Sequence, residues 1–124
     1  MRLKPNTLIV VAGPTASGKT ALAIQIAKAV DGEIVSADSM QIYRGVDIAT
    51  AKPTPEELAA VPHHLIGFLP MDRAFSVADY AELARKEIND ILSRGKVPVL
   101  CGGTGLYIKA IVDNVQYSEA ITGD

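Results

Sequence analysis

Apolar positions along the chain come in short β-branched runs that alternate with segments of helical period. Thr7-Leu-Ile-Val-Val-Ala12 is apolar almost throughout and too short for a helix, which predicts a strand buried on both faces. From Ala21 to Val30 the pattern is helical, ending at an Asp31-Gly32 turn. Glu33 to Ala37 reads as a second strand, followed by a polar, irregular stretch over 38–54. Thr54-Pro-Glu-Glu57 has the form of a capping box with proline at the first helical position, and opens a short helix ending near Val61. "HHLIGFL", 63–69, is a candidate third strand. Ser76-Val-Ala-Asp79 starts another helix, whose stripe of Val77, Tyr80, Ala84, Ile88 and Ile91 is core packing. Gly95 stops it, Val97 to Cys101 is a fourth strand, and a last helix runs from Leu106 to the neighbourhood of Val112. Residues 113–124 are polar and carry no strand or helix signal.

Strands alternating with helices predict an α/β fold, a doubly wound parallel sheet, which the phosphate-loop motif described below makes P-loop kinase-like. Such sheets have about five strands. Only four are legible, so one sheet edge is expected to stand bare and the chain to look truncated. The organisation expected is a core, 1–113, and a polar tail, 114–124; the resemblance set out below implies that the core binds a diphosphate and that the tail begins a helical insertion absent from this chain. Ligands of such sheets bind beyond the carboxyl ends of the strands. Three polar clusters fall there: the loop after the first strand, "DSMQIYR" after the second and "GGTG" after the fourth.

The first cluster, "GPTASGKT", has the spacing G-x-x-x-x-G-K-[ST] between a strand and a helix. In that setting the loop over Gly13, Pro14, Thr15, Ala16, Ser17 and Gly18 turns its backbone N–H groups onto phosphate oxygens. Lys19 reaches the terminal phosphate, and the Thr20 hydroxyl faces a magnesium ion. Asp38, just past the second strand, suits a general base or an outer partner of magnesium, with a helix cap as the structural alternative. Gln41 and Tyr43 suit a flat heterocycle, while Arg44 is as readily a phosphate contact as a surface arginine. An ordinary P-loop NTPase ends a buried strand on an aspartate that helps hold magnesium. Here "VPVLC" runs into Gly102-Gly103-Thr104-Gly105 instead, which disfavours a motor-type ATPase. His63 and His64 are adjacent, so on a strand they point to opposite faces and do not form a two-histidine metal site.

Composition changes the picture in three places. With 124 residues, 48% hydrophobic and 21% charged, the chain is one folded domain. A net charge of −2 leaves no electrostatic footprint for nucleic acid, so an RNA partner has to be argued from motifs. The single cysteine, Cys101, permits no internal disulfide and reads as a small core residue. The first apolar run is too short for a signal-peptide core and no segment is long enough to span a bilayer, so the expected location is cytoplasmic.

Taken together, "GPTASGKTALAIQIAK", "GEIVSADSMQIYRGVDIATAKPT", "VPHHLIG", "FSVADYAELA" and "SRGKVPVLCGGTGLYIKAIVDN" resemble the tRNA dimethylallyltransferases, or tRNA isopentenyltransferases, over nearly the whole chain. The resemblance implies transfer of a dimethylallyl group from dimethylallyl diphosphate to N6 of the adenine 3′-adjacent to the anticodon. Its cofactor would be Mg2+, and its partner the tRNA anticodon stem-loop. By resemblance Asp38 takes the N6 proton and Lys19 assists the leaving diphosphate. Ser39, Met40 and Gln41 receive the adenine, and Thr104 touches the RNA beside it. Gly67 stands where many members carry aspartate, and Ala49 where glycine is frequent; neither position has a role above. Family members are much longer, so the resemblance implies an N-terminal part, inactive alone. Two rivals share the loop. An adenylate isopentenyltransferase would act on free AMP or ATP, but "GGTGLY" favours the tRNA enzyme. A small-metabolite kinase would use Asp38 on an acceptor hydroxyl.

Overall fold

β1 (Thr7–Ala12) is the strand that the first apolar run predicts, and all but its last residue are buried. The computed structural model describes residues 7–12, 19–38, 42–43, 55–70, 72–103, 105–112 and 118–123. After β1 come α1 (Lys19–Val30), β2 (Gly32–Ser36), α2 (Pro55–Ala60), β3 (His63–His64), α3 (Val77–Ser93), β4 (Val97–Gly102), α4 (Gly105–Val112) and β5 (Ser118–Gly123). The strands form one parallel sheet in the order β3-β2-β4-β1-β5. The expected doubly wound α/β architecture is therefore present.

Alternation along the central strands sorts the core into two layers. Leu8, Val10, Val35 and Leu100 face α3 and α4, where they meet Tyr80, Ala84, Ile88, Ile91, Tyr107 and Ile111. Ile9, Val11, Ile34, Val99 and Cys101 face α1, against Ala23, Ile24, Ala27 and Val30. The predicted stripe of α3 is thus core, with Val77 partly buried at its start.

Local chemistry sets the ends of α3. Ser76 Oγ accepts from Asp79 N–H at 3.0 Å and Asp79 Oδ2 accepts from Ser76 N–H at 3.0 Å, a complete capping box. At the other end Gly95 N–H donates to Leu92 O and Lys96 N–H to Ile91 O, with Gly95 at φ 76°. That left-handed turn is open to glycine without strain and stops the helix where the sequence predicts.

Two expectations are corrected. The sheet has a fifth strand, because Ser118–Gly123 pairs with β1 in register from Thr7↔Ser118 to Ala12↔Gly123. The residues read as a tail without strand signal thus cover the edge beside β1. A strand at the sheet edge is bonded on one side only and needs no apolar run, so "SEAITG" carries little signal by itself. The third strand is shorter than 63–69. Leu65 and Gly67 both adopt φ 65°, which breaks the extended backbone after His64. Pairing resumes only as an isolated bridge between Tyr43 and Leu69.

Candidate functional site at the carboxyl ends of three strands

β4 lies between β2 and β1, so the carboxyl ends of these three strands stand side by side. Ala12 pairs with Gly102, and Ser36 with Cys101, which puts Ala12, Gly102 and Ala37 at one level with Asp38 a residue beyond. Two strand spacings separate the outer pair, about 10 Å. One outer end leads into the phosphate-loop sequence and the other carries Asp38. The middle strand carries no acid and ends in glycine.

Asp38 is buried at 8% exposure, and its backbone N–H lies 3.4 Å from Ser36 Oγ. The chain leading to it is held closely. Ala37 N–H donates to Cys101 O at 2.8 Å, and the Tyr80 hydroxyl donates to Ser36 O at 2.7 Å. A side chain at Gly102 would overlap the backbone of Ala37, so only glycine allows β4 to end against β2 here. The Tyr80 ring stacks on Tyr107 of α4, centroids 4.0 Å apart and planes 10° from parallel. Burial pushes both phenols above their ordinary range, so both remain neutral donors rather than acid–base groups.

Of the other sequence-predicted site residues, Lys19 opens α1 and Thr20 follows it, half-buried. Tyr43 is half-buried beside Leu69. Gly13, Pro14, Thr15, Ala16, Ser17, Gly18, Ser39, Met40, Gln41, Arg44 and Thr104 lie outside the described residues. A cavity of about 480 Å3 lies beside the start of α3, lined by Phe68, Phe75, Asp79 and Leu83 among others, and by none of the predicted site residues that are described. No group of three or more His, Cys, Asp or Glu among the described residues could hold a metal by itself. No described helix is long and apolar enough to cross a membrane.

Sequence reasoning missed the hydroxyl of Tyr80, which the helical stripe absorbs as packing. The available signal was one phenol in a stripe of aliphatic side chains, since a buried phenol needs a partner.

β2 carries a second buried acid, Glu33, which is structural. Arg94 grips it through both carboxylate oxygens at 2.5 and 2.8 Å, and His64 Nε2 lies 2.7 Å from Glu33 Oε1. His64 Nδ1 faces Glu87 at 3.1 Å, so this histidine ties β3 to α3. His63 instead has Nδ1 2.8 Å from Val61 O, and burial lowers its pKa. The two adjacent rings thus have different partners.

The Arg94 hydrogen bonds, outweighing the opposing effect of burial, bring the Glu33 pKa from 4.5 down to about 2, with His64 adding to the drop. A depressed carboxylate stabilises the fold above its unfolded pKa, and that contribution disappears as pH falls from 4.5 towards 2. Allowing for the solvent around Arg94, Glu33→Gln should remove on the order of 2 kcal/mol at pH 7 and flatten the acid limb. Urea unfolding between pH 7 and about pH 2.5 measures both. An unchanged acid limb in the variant would assign that limb to other groups.

The family model described as IPP transferase matches residues 41–122. The chain belongs to this family. It is 52% identical to a tRNA dimethylallyltransferase of Salinispora tropica over 93% of the chain and 36% of that protein. The fold matches the crystal structure of a full-length tRNA isopentenylpyrophosphate transferase from Bacillus halodurans with TM-score 0.84 and 49% identity, covering 90% of this chain and 37% of that one. It also matches a eukaryotic dimethylallyltransferase acting on tRNA, with TM-score 0.81 and 34% identity over 85% of this chain and 26% of that one. The chain therefore spans about a third of the length of the curated relatives it matches.

Proposed function

We propose that this chain forms the prenyl-donor-binding and base-bearing part of a tRNA dimethylallyltransferase. The enzyme would move a dimethylallyl group from dimethylallyl diphosphate to N6 of the adenine 3′-adjacent to the anticodon and release diphosphate. One observation carries the reading. In a member of the IPP transferase family, buried Asp38 stands one residue beyond the level at which the strand leading into the phosphate-loop sequence ends, across a strand that ends in glycine rather than an acid.

The reaction breaks the allylic C–O bond, forms a bond between C1 of the dimethylallyl group and N6, and removes one N6 proton. The leaving diphosphate gains negative charge, which suits the loop amides of 13–18 and the Lys19 ammonium. The N6 proton passes to the carboxylate of Asp38. A base in an anticodon loop has to be unstacked before a pocket can take it. That role falls to Ser39, Met40 and Gln41 at the β2 end, with Thr104 contacting the RNA from the β4 end. Magnesium would be held by the Thr20 hydroxyl and the phosphates, since the ion keeps most of its waters and needs few protein oxygens. When bound it would screen the charge of the departing diphosphate. The reading places the enzyme with its tRNA substrate in the cytoplasm.

Transfer is assigned to a polypeptide of the relatives' length, and donor binding to this chain. The full-length enzyme should bind dimethylallyl diphosphate with magnesium in preference to ATP by tenfold or more, about 1.4 kcal/mol. Residues 1–124 alone should hold the diphosphate weakly and leave RNA unmodified. Calorimetric titration of both ligands, with a prenyl-transfer assay on an anticodon stem-loop, tests this. Tight ATP binding with phosphate appearing on a small hydroxyl acceptor would make the protein a kinase. Transfer to free AMP in place of the stem-loop would make it an adenylate enzyme.

A further inference from the structure

The peptide unit joining Ser36 to Ala37 is gripped at both of its polar ends. Its carbonyl accepts from the Tyr80 hydroxyl at 2.7 Å, and its N–H donates to Cys101 O at 2.8 Å. The two groups of a trans peptide point to opposite sides of the chain, so holding both fixes the rotation of the plane. That plane directs the backbone into Asp38. Tyr80 and Ala37 are fully buried and Ser36 is 1% exposed, so water has little access to the bond. The other half of the grip is the end of β4, against which Ala37 is packed too closely for any residue but glycine at 102. Tyr80 also reaches across to the second arm of the site, because its ring stacks on Tyr107 in the α4 segment that follows the Gly102-Gly103 turn.

We infer that Tyr80 is a positioning residue for prenyl transfer: its hydroxyl fixes the Ser36–Ala37 peptide plane and through it the angle at which Asp38 meets the N6 proton. This rests on the function proposed above. Tyr80 touches neither reactant. Its α3 neighbours show that core packing needs only the apolar ring, since Ala84, Ile88 and Ile91 fill the same layer without a polar atom. The hydroxyl is the part that packing does not explain. Without it the plane loses its hold at the carbonyl end, and the Asp38 carboxylate samples a wider range of directions. A base displaced by a fraction of an ångström still binds nothing less, but abstracts the proton less often.

Tyr80→Phe keeps the ring and removes only the oxygen. In the full-length enzyme, with turnover counted per dimethylallyl-diphosphate site so that any unfolded fraction drops out, kcat should fall about tenfold. KM for dimethylallyl diphosphate should stay within about twofold, because the phosphate loop follows β1 and not β2. In an Asp38→Asn background the same substitution should cost nothing further, since there is no base left to aim. An unchanged kcat, a matching rise in the donor KM, or the same fold-loss in both backgrounds would overturn the inference and leave Tyr80 as packing. A wild-type enzyme that moves no dimethylallyl group would overturn the proposed function and this inference together. Normal wild-type transfer with an indifferent Tyr80→Phe overturns this inference alone.

Discussion

Asp38→Asn should lower prenyl-transfer turnover by about 10²–10⁴ while the affinity for dimethylallyl diphosphate stays within about twofold. The amide matches the carboxylate in size, so the packing of this buried position is kept. Only basicity is lost. The prenyl donor would bind at the end of β1, roughly two strand spacings or about 10 Å away, beyond the reach of a neutralised side chain. The adenine amine is a weak nucleophile and has to shed a proton as it gains the allyl group, so a missing acceptor acts on the transition state alone. Single-turnover transfer to a stem-loop RNA, paired with donor titration, separates the two effects. Loss of donor affinity with turnover intact would instead make Asp38 an outer partner of magnesium.

Gly102→Ala should be strongly destabilising. The added methyl would fall on the Ala37 carbonyl carbon, its oxygen and its Cα, all of them backbone that cannot rotate away. Strands β2 and β4 would have to separate where Ala37 N–H meets Cys101 O. A loss of about 3 kcal/mol is expected from such overpacking, together with a fall in turnover, since the same displacement moves Asp38. Gly105→Ala is the matched control. Nothing lies within 4 Å of a methyl built there, and the change should stay within about 0.5 kcal/mol. Chemical denaturation of the two variants beside the parent decides it. Equal stability for both would show that the strand ends stand farther apart than described.

Where a segment carries its own signal, the sequence was legible. The β-branched run of β1, the helix start at Ser76–Asp79, the stripe of α3 and the stop at Gly95 are local statements, and each is found in place. So was the position of Asp38, because a polar residue directly after a buried strand of a parallel sheet falls at its binding end. Three features were not legible. β5 has no apolar run because it borrows its order from the backbone of β1. The early end of β3 depends on a left-handed turn at Leu65, a residue type that gives no notice of one. Glu33 looked like one residue of an ordinary strand, and only folding brings it Arg94, 61 residues away, and His64, 31 residues away.

By itself the sequence determined the parallel α/β class, the place of the acid after the second strand and the family, all through neighbours in the chain or motifs at set spacing. Only the tertiary structure decided that β4 lies between β1 and β2, and with it the span between the ends of those two strands. It alone also decided that Tyr80 serves Ser36 and that Gly102 must be bare. Strand order and peptide orientation are set by contacts between residues far apart in the chain. Their energies do not exist until the two layers of the core close on the sheet.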